Sequence, residues 1–297
     1  MVRRRMLFLA LALLFALGLP GGARALAGPP DSLKFSTWNL EWLTVRPAGD
    51  PALPRDAAPK RPQDIARLAE YAARLNADVI AIEEVDGPAI AARIFPPARY
   101  AIHMTDDPVV QRVGLVVRRG IPFTANPDDT AIDPDPHARY PLRSGADITL
   151  HLPGGDVRVL AVHLKTGCKR DDPFTSRRWQ CRLLARQAPP LEAWIRARQR
   201  EGIAYIVLGD FNHWMDGPDA FWAALQRAAP LVRATAGHAS PCWGGERFID
   251  HILAGGPAAQ WMEPATLRVM LYREQGRIWQ ERLSDHCPVS VRFRIPG

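Results

Sequence analysis

Residues able to do chemistry gather at the ends of apolar runs in this chain. Asn39 follows LKFSTW, Glu83 and Glu84 follow DVIAI, and His163 follows VRVLAV. Asp210 and Asn212 lie in GDFN after IAYIVL, Asp250 and His251 in FIDHIL, and Asp285 and His286 in SDH ahead of PVSVRF. Taken singly, each reads as a strand end, a turn or a cap. Their conjunction reads differently. Oxygen donors from Glu84, Asp285 and Asn39 suit Mg2+ or Mn2+. Two histidines, one beside a carboxylate able to orient it, suit proton transfer and stabilisation of developing negative charge. The chemistry that unites these groups is metal-assisted hydrolysis of a phosphoester. Rival toolkits are missing: the sequence has no G-x-S-x-G, H-E-x-x-H, G-x-x-x-x-G-K-[ST] or G-x-G-x-x-G.

The runs that must position these groups read as strands over Lys34–Trp38, Val79–Ile82, Val113–Val117, Ile148–Leu152, Val157–Leu164, Ile203–Leu208, Phe248–Leu253 and Val289–Phe293. Helical spacing links Ile65, Leu68, Ala72 and Leu75 behind Pro62, a residue suited to a first turn. A second helix is expected over Ser176–Gln199, kinked or split at Pro189 and Pro190. A third is expected over Pro218–Arg227. Two Pro-rich stretches, Val45–Pro62 and Pro122–Pro141, read as surface loops, because strands resume beyond both. Strands and helices mix with no break in composition, which predicts one α/β domain over residues 28–297. The expected layering is sheet on sheet with helices outside.

The 297 residues are 47% hydrophobic and 23% charged, which excludes a disordered chain. The formal net charge is +7, but residues 1–27 contain four arginines and no acid, leaving +3 for the rest. That balance permits an anionic substrate without demanding a nucleic-acid coat. MVRRR, the apolar run MLFLALALLFALGL and Ala25-Leu26-Ala27 together read as a signal peptide over residues 1–27. The run is shorter than the roughly 20 residues of a membrane span. The remainder is therefore expected to be a periplasmic or extracellular protein with no stable membrane association, and a monomer. Export allows Cys168, Cys181, Cys242 and Cys287 to form two disulfides, with Cys168–Cys181 preferred because it closes a short polar loop.

TWNLEWL, VIAIEEV, VHLK, GDFN, IDHIL and SDHCPV, in that order over residues 36 to 289, resemble the endonuclease/exonuclease/phosphatase superfamily typified by pancreatic deoxyribonuclease. The resemblance implies a four-layer α/β sandwich with two central, mainly antiparallel sheets flanked by helices. It also implies roles. Glu84 resembles the principal metal ligand, with Glu83 standing where the family usually has Gln. Asn39 would help place metal and phosphate, and Asp285 would serve a second metal position. Asp210 would orient the attacking water, and Asn212 would donate its amide to a phosphate oxygen. His286 resembles the histidine that activates water or steadies the phosphate, held by Asp250, and His163 its partner on the leaving-group side. Arg139, in RYPL, resembles the family's phosphate-facing arginine on an R-x-P triplet, and reads equally as a solvated loop arginine.

Lys165, Lys169, Arg170, Arg177, Arg178 and Arg182 form a basic stretch after VHLK. Lys165 and Arg178 within it are candidate contacts to a phosphate backbone or an anionic headgroup, with a solvated helix start as the alternative. Asp128, Asp129, Asp133 and Asp135 lack the ordered spacing of a Ca2+ loop and read as a solvated acidic loop. The resulting expectation is an exported, divalent-metal-dependent phosphodiesterase, an endonuclease acting on DNA or RNA. Two alternatives differ in substrate or class: a phospholipid phosphodiesterase or inositol-phosphate phosphatase, which should carry an exposed apolar membrane loop, and a catalytically silent binding or toxin-accessory protein, which should show a broken residue set.

Overall fold

Strands that are apolar along their whole length must be covered on both faces, and the structure covers them. The computed structural model describes residues 32–55 and 57–297; the expected signal peptide lies outside them. In chain order the elements are β1 (Ser32–Leu43), α1 (Pro62–Leu75), β2 (Val79–Val85), α2 (Pro88–Ile94), β3 (Tyr100–Met104), β4 (Arg112–Arg118), β5 (Phe123–Ala125), β6 (Ala146–Leu152) and β7 (Gly155–His163). Then come α3 (Trp179–Glu201), β8 (Ala204–Asp210), α4 (Ala220–Ala228), β9 (Leu231–Arg233), β10 (Asp250–Gly255), α5 (Ala258–Trp261), β11 (Met262–Val269), α6 (Arg277–Arg282) and β12 (Val289–Arg294). They form two six-stranded sheets, ordered β11-β12-β1-β2-β4-β3 and β5-β6-β7-β8-β10-β9.

Each sheet has one parallel pair, β1 with β2 and β7 with β8, and its other pairs are antiparallel. A parallel pair needs a crossover, and α1 and α3 supply one each. The side-chain period of two then divides every central strand between two cores. Val79 and Ala81 of β2, Val157, Val159 and Ala161 of β7, and Ile206 and Leu208 of β8 face the space between the sheets. Ile80 and Ile82 face outward to α1 and α2, and Leu160, Val162, Tyr205 and Val207 face outward to α3 and α4. The result is a four-layer α/β sandwich with mainly antiparallel sheets, as the resemblance implied.

Two expectations need correction. The helix at Pro189 and Pro190 is not split: α3 is one helix of 23 residues. Pro189 is exposed, and buried Leu184, Ala188, Leu191 and Ile195 hold the helix to the sheet on both sides of the pair. The Pro122–Pro141 stretch is not all loop, because Phe123–Ala125 pairs with Ile148–Leu150 at a sheet edge. Asp128 accepts the Asp106 amide and lies 3.2 Å from His103, while Asp133 accepts the Asp135 amide.

The four cysteines form Cys168–Cys181 and Cys242–Cys287, 13 and 45 residues apart in sequence. In the chain-entropy description, loops of these lengths are worth about 3 and about 4 kcal/mol. Replacing Cys168 and Cys181 together by alanine is expected to lower unfolding stability by about 3 kcal/mol, read as a fall in the urea midpoint with a steeper slope, because the denatured chain without the bridge exposes more surface. A midpoint that stays put would show that this bridge leaves the folding equilibrium untouched.

Candidate active site

The strand parity that fills the space between the sheets with apolar side chains also ends it in polar ones. Continuing the inward positions of β1, β2, β7 and β8 toward their carboxyl ends gives Thr37 and Asn39, Glu83, His163 and Asp210. Asp250, the first residue of β10, shares the inward parity of Ile252 and Ala254. Register joins them: Asn39 is opposite Glu83, His163 opposite Asp210, and Asp210 opposite Asp250. The candidate site is thus the polar cap of the inter-sheet core, at the carboxyl ends of both parallel pairs, where crossover topology leaves a crevice.

Glu84 belongs by parity to the other face and reaches the cap through its backbone. Its φ is +60°, in the left-handed region that costs a non-glycine residue about 1–3 kcal/mol. Glu41 and Trp42, at +39° and +50°, interrupt the β1–β2 register opposite it. The Glu84 carboxylate then accepts the Asn39 side-chain amide at 3.1 Å and the Trp42 backbone N–H at 3.2 Å. The Asn39 amide also donates to Asp210 Oδ2 at 3.1 Å. Asn212 donates its backbone N–H to Asp210 Oδ1 at 2.7 Å and its side-chain amide to Asp210 Oδ2 at 2.9 Å and to the Leu164 carbonyl at 3.2 Å.

Two histidines face each other across Asp210. His286 holds Nδ1 against Asp250, 2.9 and 3.0 Å from its two oxygens, and Nε2 lies 3.8 Å from Asp210 Oδ2. His163 Nε2 lies 3.5 Å from the same Asp210 oxygen and 3.6 Å from Glu84. Their environments push them apart. Burial alone would lower His286, but the carboxylates of Asp250, Asp210 and Asp285 lift it well above the ordinary imidazole value. Burial, followed by the adjacent Arg143 guanidinium, holds His163 well below it. Arg143 is itself buried; its Nε donates to His163 Nδ1 at 3.1 Å, and its Nη2 lies 2.7 Å from both Nδ1 and Nε2. A guanidinium can only donate, so Nδ1 accepts and His163 is neutral.

The carboxylates are crowded. Burial lifts Asp210 to about 7 against the opposing pull of His286. Burial, then Asp250 and Asp210, lifts Glu83 well above the carboxylate range. One Glu83 oxygen accepts Thr37 Oγ1 at 2.9 Å, and the other is buried without a hydrogen-bond partner. This surplus of hard oxygen donors fits a divalent cation, whose charge would favour the ionised acids. Two sets could hold it. Glu84 with Asn39 is one; Asp210, Asp250 and His286, whose ligand atoms lie within 4.8 Å of one another, is the other. Asp285 is half exposed at the rim, where its backbone N–H donates to Glu41 at 3.1 Å. Burial lifts Glu41 to about 8, with Lys60 opposing from 3.8 Å away.

Of the three expected substrate contacts, Lys165 is near enough to add to the lowering of His163, while Arg139 and Arg178 hold partners of their own. Arg139 is exposed with its guanidinium over Tyr140, Arg178 is exposed and paired with Asp171 at 2.8 Å, and Lys165 lies over Trp179. None hydrogen-bonds a member of the cluster. Arg143, four residues beyond Arg139, is the arginine that lies against His163. A usable signal existed. The Pro153-Gly154 turn sets Leu152 opposite Gly155, and the register then runs back to Ala146 opposite Ala161. Counting on from there brings Arg143 level with the end of β7. Glu41 and Lys60 were also missed. His213 is buried between the Cys168 carbonyl and Asp219, at 2.6 and 2.8 Å.

Residues 36–286 match the model of the Endonuclease/Exonuclease/phosphatase family. Curated protein sequences give no match. Among solved structures, D. rerio TDP2 complexed with single-strand DNA product is similar, with a TM-score of 0.59 and 16% identity over 89% of this chain and 99% of that one. The human Nocturnin catalytic domain with bound sulfate gives 0.56 and 15% over 91% and 97%. The 3′ phosphatase NExo from Neisseria bound to product DNA hairpin gives 0.54 and 16% over 88% and 99%. At these identities the likeness is one of fold.

Proposed function

Because this chain belongs to the endonuclease/exonuclease/phosphatase family, whose members are metal-dependent phosphoesterases, we propose that it is an exported phosphodiesterase that cleaves nucleic acid internally, DNA foremost. The observation that carries the reading is the pair of oppositely tuned histidines across one carboxylate. His163 and His286 reach Asp210 Oδ2 from 3.5 and 3.8 Å, one driven neutral and one driven cationic. Titratable groups pushed apart in this way mark a division of acid, base and charge-stabilising work.

Glu84 with Asn39, or the aspartates, would hold a divalent cation, Mg2+ or Mn2+, which would supply positive charge to offset the negative charge of the phosphate. The chain's own groups do the rest. Asp210, with its carboxyl near neutrality, takes a proton from the attacking water, and the Asn39 and Asn212 amides fix its orientation. His286, held by Asp250, presents a cationic N–H to the charge growing on the phosphoryl oxygens. Arg143 stabilises that charge from the opposite side, and neutral His163 faces the leaving group. Nucleic acid as the substrate is supported by the DNA products in the TDP2 and NExo structures. Two disulfides support export, and no described helix is long and apolar enough to cross a membrane.

Supercoiled plasmid tests this reading. The purified protein is expected to nick it with Mg2+ or Mn2+ and to stop when EDTA removes the metal. An intact plasmid alongside metal-dependent hydrolysis of phospholipid or inositol phosphate would replace the substrate, and nicking in EDTA would remove the metal from the mechanism.

A further inference from the structure

Beyond the catalytic cap, two arginines lie over one tryptophan ring, and neither is ion-paired among the described residues. Trp214 stands two residues after Asn212, and its backbone N–H donates to the Lys169 carbonyl at 2.8 Å. The guanidinium of Arg170 lies over its ring 5.2 Å from the centroid, and that of Arg247 lies over it at 5.0 Å. The two cations can be no further apart than these distances together allow. Both arginines are exposed, and neither makes an ion pair or side-chain hydrogen bond among the described residues. Trp214 Nε1 is buried and also lacks an acceptor.

Covalent bridges brace both arms. Arg170 lies in the loop closed by Cys168–Cys181, and Arg247 in the segment tied by Cys242–Cys287. Arg247 also lines a cavity whose other walls include Asp250, Asp285, His286 and the Cys242–Cys287 bridge. The cavity therefore links the catalytic pair to Arg247, with Glu246 also in its wall, while Arg170 and Trp214 lie outside its lining. Two exposed guanidiniums held over one ring without an ion-pair partner suit an oxygen-rich anion through bidentate contacts, and each phosphodiester of a polynucleotide offers one negative charge shared by two free oxygens.

We infer that Arg170, Trp214 and Arg247 form a second phosphate subsite, which takes a phosphate neighbouring the scissile one on a polynucleotide. The inference rests on the phosphodiesterase reading above and narrows its substrate. A headgroup with one phosphate and a cationic amine would place positive charge against both arginines, whereas a polynucleotide offers a phosphate on each side of the reacting one.

The test compares plasmid DNA with bis(p-nitrophenyl) phosphate, which has one phosphodiester and no neighbour. In Arg170→Ala/Arg247→Ala the ratio of kcat/KM on DNA to that on the small diester is expected to fall at least tenfold, through KM. The dependence of log(kcat/KM) on log[salt] should flatten by about 0.9 for each phosphate that the variant no longer neutralises. Arg200→Ala, at the opposite end of α3, removes an exposed charge far from the cap and should change neither quantity. Equal losses on both substrates, or a salt slope that matches the Arg200 variant, would overturn the subsite. Wild-type protein that hydrolyses the small diester but not DNA would overturn the nuclease reading itself, a result distinct from both.

Discussion

Replacing His286 by alanine is expected to lower kcat on DNA by at least about a hundredfold while leaving the fold intact. The imidazole is the cation among Asp250, Asp210 and Asp285, which lie 2.9 to 3.8 Å from its ring nitrogens. Without it the phosphoryl group would meet carboxylates where it now meets an N–H donor, and negative charge developing in the transition state would be repelled. Asp210→Asn tests the other half of the same contact. The amide keeps nearly the same shape and can still accept from the Asn212 N–H, but it cannot take a proton from water. Both variants should remain folded and bind DNA, with His286→Ala alone lowering the unfolding midpoint because it leaves Asp250 without its cationic partner. Their effects should not add, since each removes a member of one proton-handling unit. Metal-dependent nicking that survived both substitutions would sink the assignment of this cluster as the catalytic centre.

The eight strands legible in the sequence, from Lys34–Trp38 to Val289–Phe293, are the eight interior strands of the two sheets. An interior strand pairs on both edges and is buried on both faces, so it needs an unbroken apolar run, as in DVIAI and VRVLAV. The four that escaped, β3, β5, β9 and β11, are the four sheet edges. An edge strand shares one ladder and keeps a wet side, and MEPATLRV, with a proline and exposed residues, carries little of the interior pattern. The same distinction governs the site. Residues that cap interior strands, such as Asn39, His163 and Asp210, could be picked out because a polar group after an apolar run is conspicuous. Arg143 and Arg247 come from irregular segments and Lys60 from a Pro-rich loop, where no periodicity marks a residue as inward. What places them is tertiary: a hairpin register for Arg143, a disulfide-tied segment for Arg247, and for Lys60 a hydrogen bond to the Glu281 carbonyl at 2.8 Å.

Gly209→Ala is expected to destabilise the fold by about 3 kcal/mol or more and to remove activity with it. In GDFN the aspartate and asparagine carry the chemistry, but the glycine sets the spacing that makes it possible. Gly209 pairs with Val162 of β7 on one side and His251 of β10 on the other, directly before Asp210. Its φ is +147°, and a Cβ built there would come within 1.9 Å of the Val162 carbonyl oxygen. That obstacle is backbone in the middle of a sheet, so it cannot swing aside as a side chain would. Relief requires β7 and β8 to separate at the point where His163 and Asp210 face each other. Gly202, the left-handed residue that ends α3, provides the comparison. Its φ is +68° and a Cβ there meets nothing within 4 Å, so Gly202→Ala should cost only the left-handed penalty of about 1 kcal/mol. Chemical denaturation of the two variants separates close approach from dihedral strain. Equal losses would show that Gly209 is needed for its dihedral alone, and that the sheet can yield at Val162 without disturbing the histidine and aspartate beside it.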